Sequence, residues 1–209
     1  MSARGPFQDK PQNKVGLRVE ALTLSRGGRV LFEELSFAAA SGAYVEVQGS
    51  NGSGKTSLLR AMAGLLRPRA GSIVVEGAEE PSLALHYVAH ANALKREASV
   101  RDHLRYWAGL FGGAPSEDFV SQMLDLGRVL DLPVRALSQG QARRVALSRL
   151  IVAPRPIWLL DEPAAALDDA GKAVLNELIA SHRASGGIVV AAVHEPLGAP
   201  PSQTVRVSR

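Results

Sequence analysis

The hydrophobic positions of the chain follow two rhythms. In LRVEALTL, Leu17–Leu24, apolar and polar residues alternate, the pattern of a half-buried strand. RGGR, Arg26–Arg29, is a tight turn, and Val30–Ala40 supplies further strand, clearest in LSFAA. Ser41 and Gly42 turn the chain into YVEVQ, Tyr44–Gln48, again strand. SLLRAMAGLL, Ser57–Leu66, spaces its apolar residues as a helix does, and Pro68 and Gly71 end that region. SIVVEG, Ser72–Gly77, and ALHYVA, Ala84–Ala89, return to strand.

From about His90 to Gly140 the period changes from two to three or four. Ser99, with Asp102 three residues on, caps a helix whose apolar side carries Leu104, Trp107, Ala108 and Phe111. Trp107 and Phe111, one turn apart, read as core. Glu117–Leu130 is a second helix, with Phe119, Met123, Leu124 and Leu126 available for packing. The strand–helix pattern then resumes: Ile157–Leu160 is an apolar strand and Ala170–Ser185 an amphipathic helix. Gly187–Val193 is a continuously apolar strand covered on both faces, and Gln203–Val207 a last edge strand. The pattern predicts an α/β core with a small helical subdomain inserted over about 91–150.

Composition narrows the setting. The 209 residues suit one domain, here 16–209, and 46% hydrophobic content suffices for a sizeable core. No apolar run approaches the roughly 20 residues that a membrane helix needs. The N-terminal stretch is polar, holds two prolines and lacks the apolar segment of a secretion signal. Residues 1–15 are expected to form a disordered tail. There are no cysteines, which removes disulfide and thiolate chemistry. These features suit a cytoplasmic protein. The net charge of +4 is spread along the chain rather than gathered into a block, so no nucleic-acid partner is expected.

The chemistry centres on GSNGSGKTS, Gly49–Ser57, which matches G-x-x-x-x-G-K-[ST]. Strand, glycine loop and helix follow in the order a phosphate-binding loop requires, which a glycine-rich surface turn does not explain. Gly49, Gly52 and Gly54 allow close backbone approach, and the N–H groups from Gly49 through Ser50, Asn51, Ser53 and Ser57 form an anion nest. Lys55 reaches the β- and γ-phosphates, and Thr56 offers its hydroxyl to Mg²⁺. IWLLDE, Ile157–Glu162, puts two acids at the carboxyl end of a strand, where ligands of open α/β sheets lie. Asp161 would hold Mg²⁺ directly or through water, and Glu162 would activate the attacking water. The alternative is that the pair caps the following helix or solvates a loop. LSQGQARR, Leu137–Arg144, contains a capping box, Ser138 with Gln141, that also suits a γ-phosphate at a helix N-terminus. A second phosphate-binding tip beside a complete loop points to a nucleotide shared with another subunit. His194 ends its strand at the same sheet edge, within reach of a γ-phosphate or water.

In order and spacing, the glycine loop, LSQGQ, LLDEP, ALD and the late histidine resemble the ATP-binding cassette (ABC) ATPases over nearly all of residues 17–209. The resemblance implies a P-loop NTPase fold with a RecA-like core, an N-terminal antiparallel β part and a helical subdomain. It implies ATP and Mg²⁺ as ligands and ATP hydrolysis as the activity. It implies that Ser138, Gln139, Gly140 and Gln141 face the nucleotide of an opposite copy. It also implies Asp168 in the D-loop, Glu162 as the catalytic carboxylate and His194 as the switch histidine. GSNGSGKTSLLRAMAGLLRP, LHYVAHANALK, LSQGQARRVALSRL and GGIVVAAVHEPL are similar to the cytochrome c maturation protein A group of these ATPases. That likeness implies a peripheral subunit on the cytoplasmic face of the bacterial inner membrane. Its partners would be a membrane permease subunit and other cytochrome c maturation proteins, and its task the handling of haem. At three positions the chain departs from the common pattern. Arg26 stands where an aromatic ring usually stacks on adenine, His90 where a metal-contacting glutamine is usual, and Gln139 where LSGGQ has its first glycine.

Other functions fit less well. ABC ATPases of DNA repair carry long heptad insertions between loop and signature, whereas 83 positions separate Lys55 from Ser138 here without sustained heptads. Ribosome-acting ones usually carry two cassettes in one chain. A small-molecule kinase has no use for LSQGQ.

Overall fold

The parallel strands Tyr44–Gln48, Leu85–Val88, Ile157–Asp161 and Ile188–Ala192 send alternate side chains into two cores. The computed structural model describes residues 15–112 and 117–208. Its elements run β1 (Gly16–Arg26), β2 (Arg29–Ala39), β3 (Tyr44–Gln48), α1 (Lys55–Met62), β4 (Ala70–Glu76) and β5 (Leu85–Val88). They continue α2 (Val100–Phe111), α3 (Glu117–Met123), α4 (Gln139–Val152), β6 (Ile157–Asp161), α5 (Asp169–Ala184), β7 (Ile188–Ala192) and β8 (Gln203–Arg206). β5, β6, β7, β3 and β8 form a parallel sheet in that order, with β8 at the edge as its composition predicts. β2, β1 and β4 form a separate antiparallel sheet. In β6, Trp158 and Leu160 face the core built with α2, α4 and α5, while Ile157 and Leu159 face the one shared with α1 and the antiparallel sheet. Both faces of β6 and β7 are covered, so residues 157–160 and 188–192 read as unbroken apolar runs.

Two helices stop earlier than their apolar spacing predicts. The helix expected over Ser57–Leu66 ends at Met62. Gly64 takes φ 72°, and the N–H groups of Gly64 and Leu65 donate to the carbonyls of Ala61 and Arg60. That pair of bonds is a Schellman cap. The helix expected over Glu117–Leu130 ends at Met123 by the same device. Asp125 holds the left-handed position at φ 52°, and Asp125 and Leu126 donate to Gln122 and Ser121. Leu124 and Leu126 are buried nonetheless. Ser99 and Asp102 form the expected capping box at the start of α2, and Trp107 is core. Of the tail expected over residues 1–15, all but Val15 lies outside the described residues, and Val15 is buried.

Two buried histidines tie stability to pH. His182 on α5 stacks on Trp158 with ring centroids 3.8 Å apart, and His86 on β5 bonds through Nε2 to the Ala153 carbonyl at 2.6 Å. Burial pulls both pKa values down to about 4. Unfolded histidine binds its proton near pH 6.5, so between about 6.5 and 4 the unfolded state holds more protons than the folded one. The stability from neutral burial is complete above that window and is lost as pH falls through it. Urea unfolding midpoints are expected to drop steadily from pH 7 to pH 4.5. His182→Phe should roughly halve the slope. An unchanged slope in that variant would show that His182 is not the source.

Candidate functional site

The carboxyl ends of β3, β5, β6 and β7 deliver the chemical groups to one edge of the parallel sheet, where ligands of such sheets lie. The loop of residues 49–54 joins β3 to α1. Gly54 caps α1 at φ 115°, a conformation that side-chain-bearing residues rarely adopt. A Cβ on Gly49 would stand 2.4 Å from the Val207 carbonyl oxygen, so no larger residue fits. Lys55 is buried and lies back along its own loop, Nζ donating to the carbonyls of Gly49 at 2.6 Å and Ser50 at 3.4 Å. A cavity of about 430 Å³ opens above it, lined by Arg26, Leu31, Ser50, Asn51, Gly52, Gly54, Lys55, Thr56, Ser57, Arg60 and Glu162. Ser53 sits beneath the loop, buried, its N–H on the Ser50 carbonyl.

The two acids of β6 have different surroundings. Asp161 is buried and accepts a hydrogen bond from the Thr56 hydroxyl at 3.1 Å. Tyr87 on β5 donates to its other oxygen at 3.4 Å. Burial, foremost, raises the Tyr87 pKa, so the phenol stays a donor. Glu162 stands just past the strand with φ 49° and donates its N–H to the Ala192 carbonyl at 2.9 Å. Its carboxylate is held from two sides, by His194 Nε2 at 2.8 Å and His90 Nδ1 at 3.1 Å. His90, aligned with a metal-contacting position, bonds Glu162 and lines a cavity of about 380 Å³ together with Thr56 and Asp161. Among the described residues no cluster of three or more His, Asp or Glu could hold a metal by itself. Thr56 and Asp161 offer two hard oxygens, which suits a magnesium ion completed by phosphate and water.

The other expected residues lie apart. Ser138 caps α4, its Oγ accepting from the Gln141 N–H at 3.2 Å while Gln141 Oε1 accepts from the Ser138 N–H at 2.9 Å. Ser138 and Gln139 are exposed, and neither they nor Gly140 and Gln141 line the loop cavity of their own chain. Asp168 caps α5 through the Gly171 N–H at 2.9 Å and pairs with Arg144 at 2.7 Å. The Arg144 bond, first, holds the Asp168 carboxyl below the usual range. Sequence reasoning overlooked Tyr87, Arg60 and Arg143. Tyr87 is an unremarked member of a short strand, and Arg60 lies one turn after Thr56. Nothing local separates buried Arg143 from its neighbour Arg144.

The family pattern described as ABC transporter matches residues 32–165. The chain is 44% identical over 191 residues to "Cytochrome c biogenesis ATP-binding export protein CcmA" of Rhizobium meliloti (strain 1021), covering 87% of this chain and 92% of that one. It is 47% identical over 177 residues to the protein of the same name from Rhodopseudomonas palustris (strain HaA2), covering 83% and 88%. Among solved structures it matches "Structure of ATP binding subunit of ABC transporter" with a TM-score of 0.75 at 25% identity, over 85% of this chain and 79% of that one. The chain belongs to the ABC transporter family, among its ATP-binding proteins.

Proposed function

We propose that this chain is the ATP-hydrolysing subunit of an ABC-type complex in c-type cytochrome biogenesis. One observation carries the ATPase reading. Glu162, gripped by His90 and His194, stands beside the Thr56–Asp161 pair at the mouth of the Lys55 cavity. The biological setting rests on relatives of 44% and 47% identity that bear that name. The permease partner, the haem-related task and a peripheral place on the inner membrane come with it. Among the described residues no helix is long and apolar enough to cross a membrane.

In this reading the loop N–H groups and Lys55 bind the phosphates, Lys55 exchanging its bonds to the Gly49 and Ser50 carbonyls for phosphate oxygens. Arg26, at the cavity wall, stacks its guanidinium on the base. Thr56 and Asp161 hold Mg²⁺, which supplies charge neutralisation for the transferred phosphoryl group. Glu162 accepts a proton from water as its oxygen bonds to the γ-phosphorus and the bond to the β–γ bridging oxygen breaks. The products are ADP and inorganic phosphate. His194 and His90 keep the Glu162 carboxylate aimed. The exposed tip of α4, Ser138 to Gln141, closes over the nucleotide of a second copy, with Asp168 at the shared face. Residues 91–150 serve as the helical subdomain that carries this tip.

Lys55→Ala is expected to abolish ATP binding and turnover while leaving the thermal transition close to that of the parent. Fluorescent-nucleotide titration and a melting curve check this, and near-normal turnover would end the phosphate-loop reading. Glu162→Gln is expected to retain ATP binding and lose hydrolysis by about 10²–10⁴-fold. Uncleaved ATP then bridges two copies, and a ligand that binds only the dimer stabilises it. Size-exclusion chromatography should show this variant as a dimer with ATP and a monomer with ADP. Adding Ser138→Arg should return it to monomer. A shift that survives Ser138→Arg would contradict the shared site.

A further inference from the structure

We infer that Arg143 is a positioning residue for hydrolysis: from α4 it fixes both the backbone of Glu162 and the loop that holds the Glu162 carboxylate. The inference rests on Glu162 being the general base.

Arg143 is 2% exposed, although arginine almost never reaches that depth without full pairing. Its five N–H donors all find acceptors in the fixed fork of the guanidinium. Nε donates to the Pro163 carbonyl at 3.1 Å. Nη2 donates to the carbonyls of Asp161 at 2.9 Å and Glu162 at 2.8 Å. Nη1 donates to the Ala89 carbonyl at 2.8 Å and to Asn92 Oδ1 at 3.1 Å, with the His90 carbonyl at 3.5 Å. No carboxylate among the described residues pairs with it directly, so the charge is spent on main-chain carbonyls and one amide.

This set of acceptors has a pattern. Three successive carbonyls, of Asp161, Glu162 and Pro163, converge on one guanidinium while Glu162 sits at φ 49°, a conformation that L-residues avoid. Such backbone persists only where its surroundings over-determine it. The bonds from Arg143 to all three carbonyls do so, helped by the Glu162 N–H on Ala192. The opposite arm brackets His90, with Ala89 on one side and Asn92 on the other. His90 in turn holds one Glu162 oxygen at 3.1 Å. Arg143 therefore sets the main chain of Glu162 and, independently, a clamp on its side chain. A misplacement of 1 Å in such a group can cost about 10²-fold in rate. Lysine, a single point donor, cannot span both arms. The fork also stands five residues beyond Ser138, so the helix that carries the tip proposed to face another copy also holds the Glu162 carbonyl.

The test separates positioning from plain stability. Arg143→Lys and Asn92→Ala are each compared with the parent, and Arg143→Lys is also placed in a Glu162→Gln background. Binding of ATP and single-turnover hydrolysis are read for molecules that melt cooperatively. Arg143→Lys should keep ATP affinity within a factor of about three and lower hydrolysis about 10²-fold. In the Glu162→Gln background the same change should lower residual hydrolysis by less than about threefold, because no base is left to position. Asn92→Ala removes one acceptor and leaves the guanidinium in place. It should slow hydrolysis about threefold to tenfold at unchanged affinity. It decides the matter if Arg143→Lys fails to fold. Unchanged hydrolysis in the variant that folds, or an equal loss in both backgrounds, overturns the role of Arg143. Full activity of Glu162→Gln alone, or a parent protein that does not hydrolyse ATP, overturns instead the reading on which the inference stands.

Discussion

A hydrogen bond of 3.1 Å joins Thr56 to Asp161, residues 105 positions apart in the chain. It forms only if the first turn of α1 and the end of β6 meet at the same height on the sheet. β6 does not pair with β3, the strand that leads to α1; β7 lies between them. The register of β6 on β7, and of β7 on β3, therefore decides whether hydroxyl and carboxylate come within reach. A slip of one residue would turn Asp161 to the other face and exchange every side chain between the two cores. The apolar alternation that separates Trp158 and Leu160 from Ile157 and Leu159 is what forbids the slip.

Around that junction charges of both signs line two adjoining cavities. Arg26, Lys55 and Arg60 border the glycine-loop cavity with Glu162, and Arg60 also borders the adjoining cavity where Asp161 and Glu162 stand. Lys55 meanwhile keeps its ammonium on two carbonyls, which spares a buried charge the cost of standing unpaired. Beneath the acids, Arg143 supplies positive charge that burial makes costly and that six acceptors offset. Glu162 thus combines a constrained backbone with a carboxylate held from two sides, an arrangement suited to a group that must be aimed before reaction.

Much of this was legible because its causes are local. The glycine loop, both capping boxes and the strand-end acids each lie within a few residues, so spacing alone announces them. The sequence put His194 at the same sheet edge as the acids, within reach of a γ-phosphate or water, and its bond to Glu162 at 2.8 Å was not foreseen. Where sequence reasoning fell short, a local rule was disguised or the cause was distant. α3 stops early because Asp125, not glycine, takes the left-handed position that ends it. Arg143 was invisible because its acceptors come from 18 to 54 positions away, and only the folded sheet brings them under α4. The grip of His90 on Glu162 was hidden for the same reason, since the two residues approach only when β5 and β6 pair.

The account turns on Thr56 and Asp161 forming half of a metal site that nucleotide completes. Mn²⁺ takes the same oxygen-rich sites as Mg²⁺ and can be followed by electron paramagnetic resonance. Titrated into the protein with a non-hydrolysable ATP analogue, Mn²⁺ should bind tightly. It should bind weakly without the nucleotide, and Asp161→Asn should weaken the nucleotide-dependent binding at least about tenfold. Mn²⁺ binding that ignores the nucleotide, or that is equally tight in Asp161→Asn, would contradict the account.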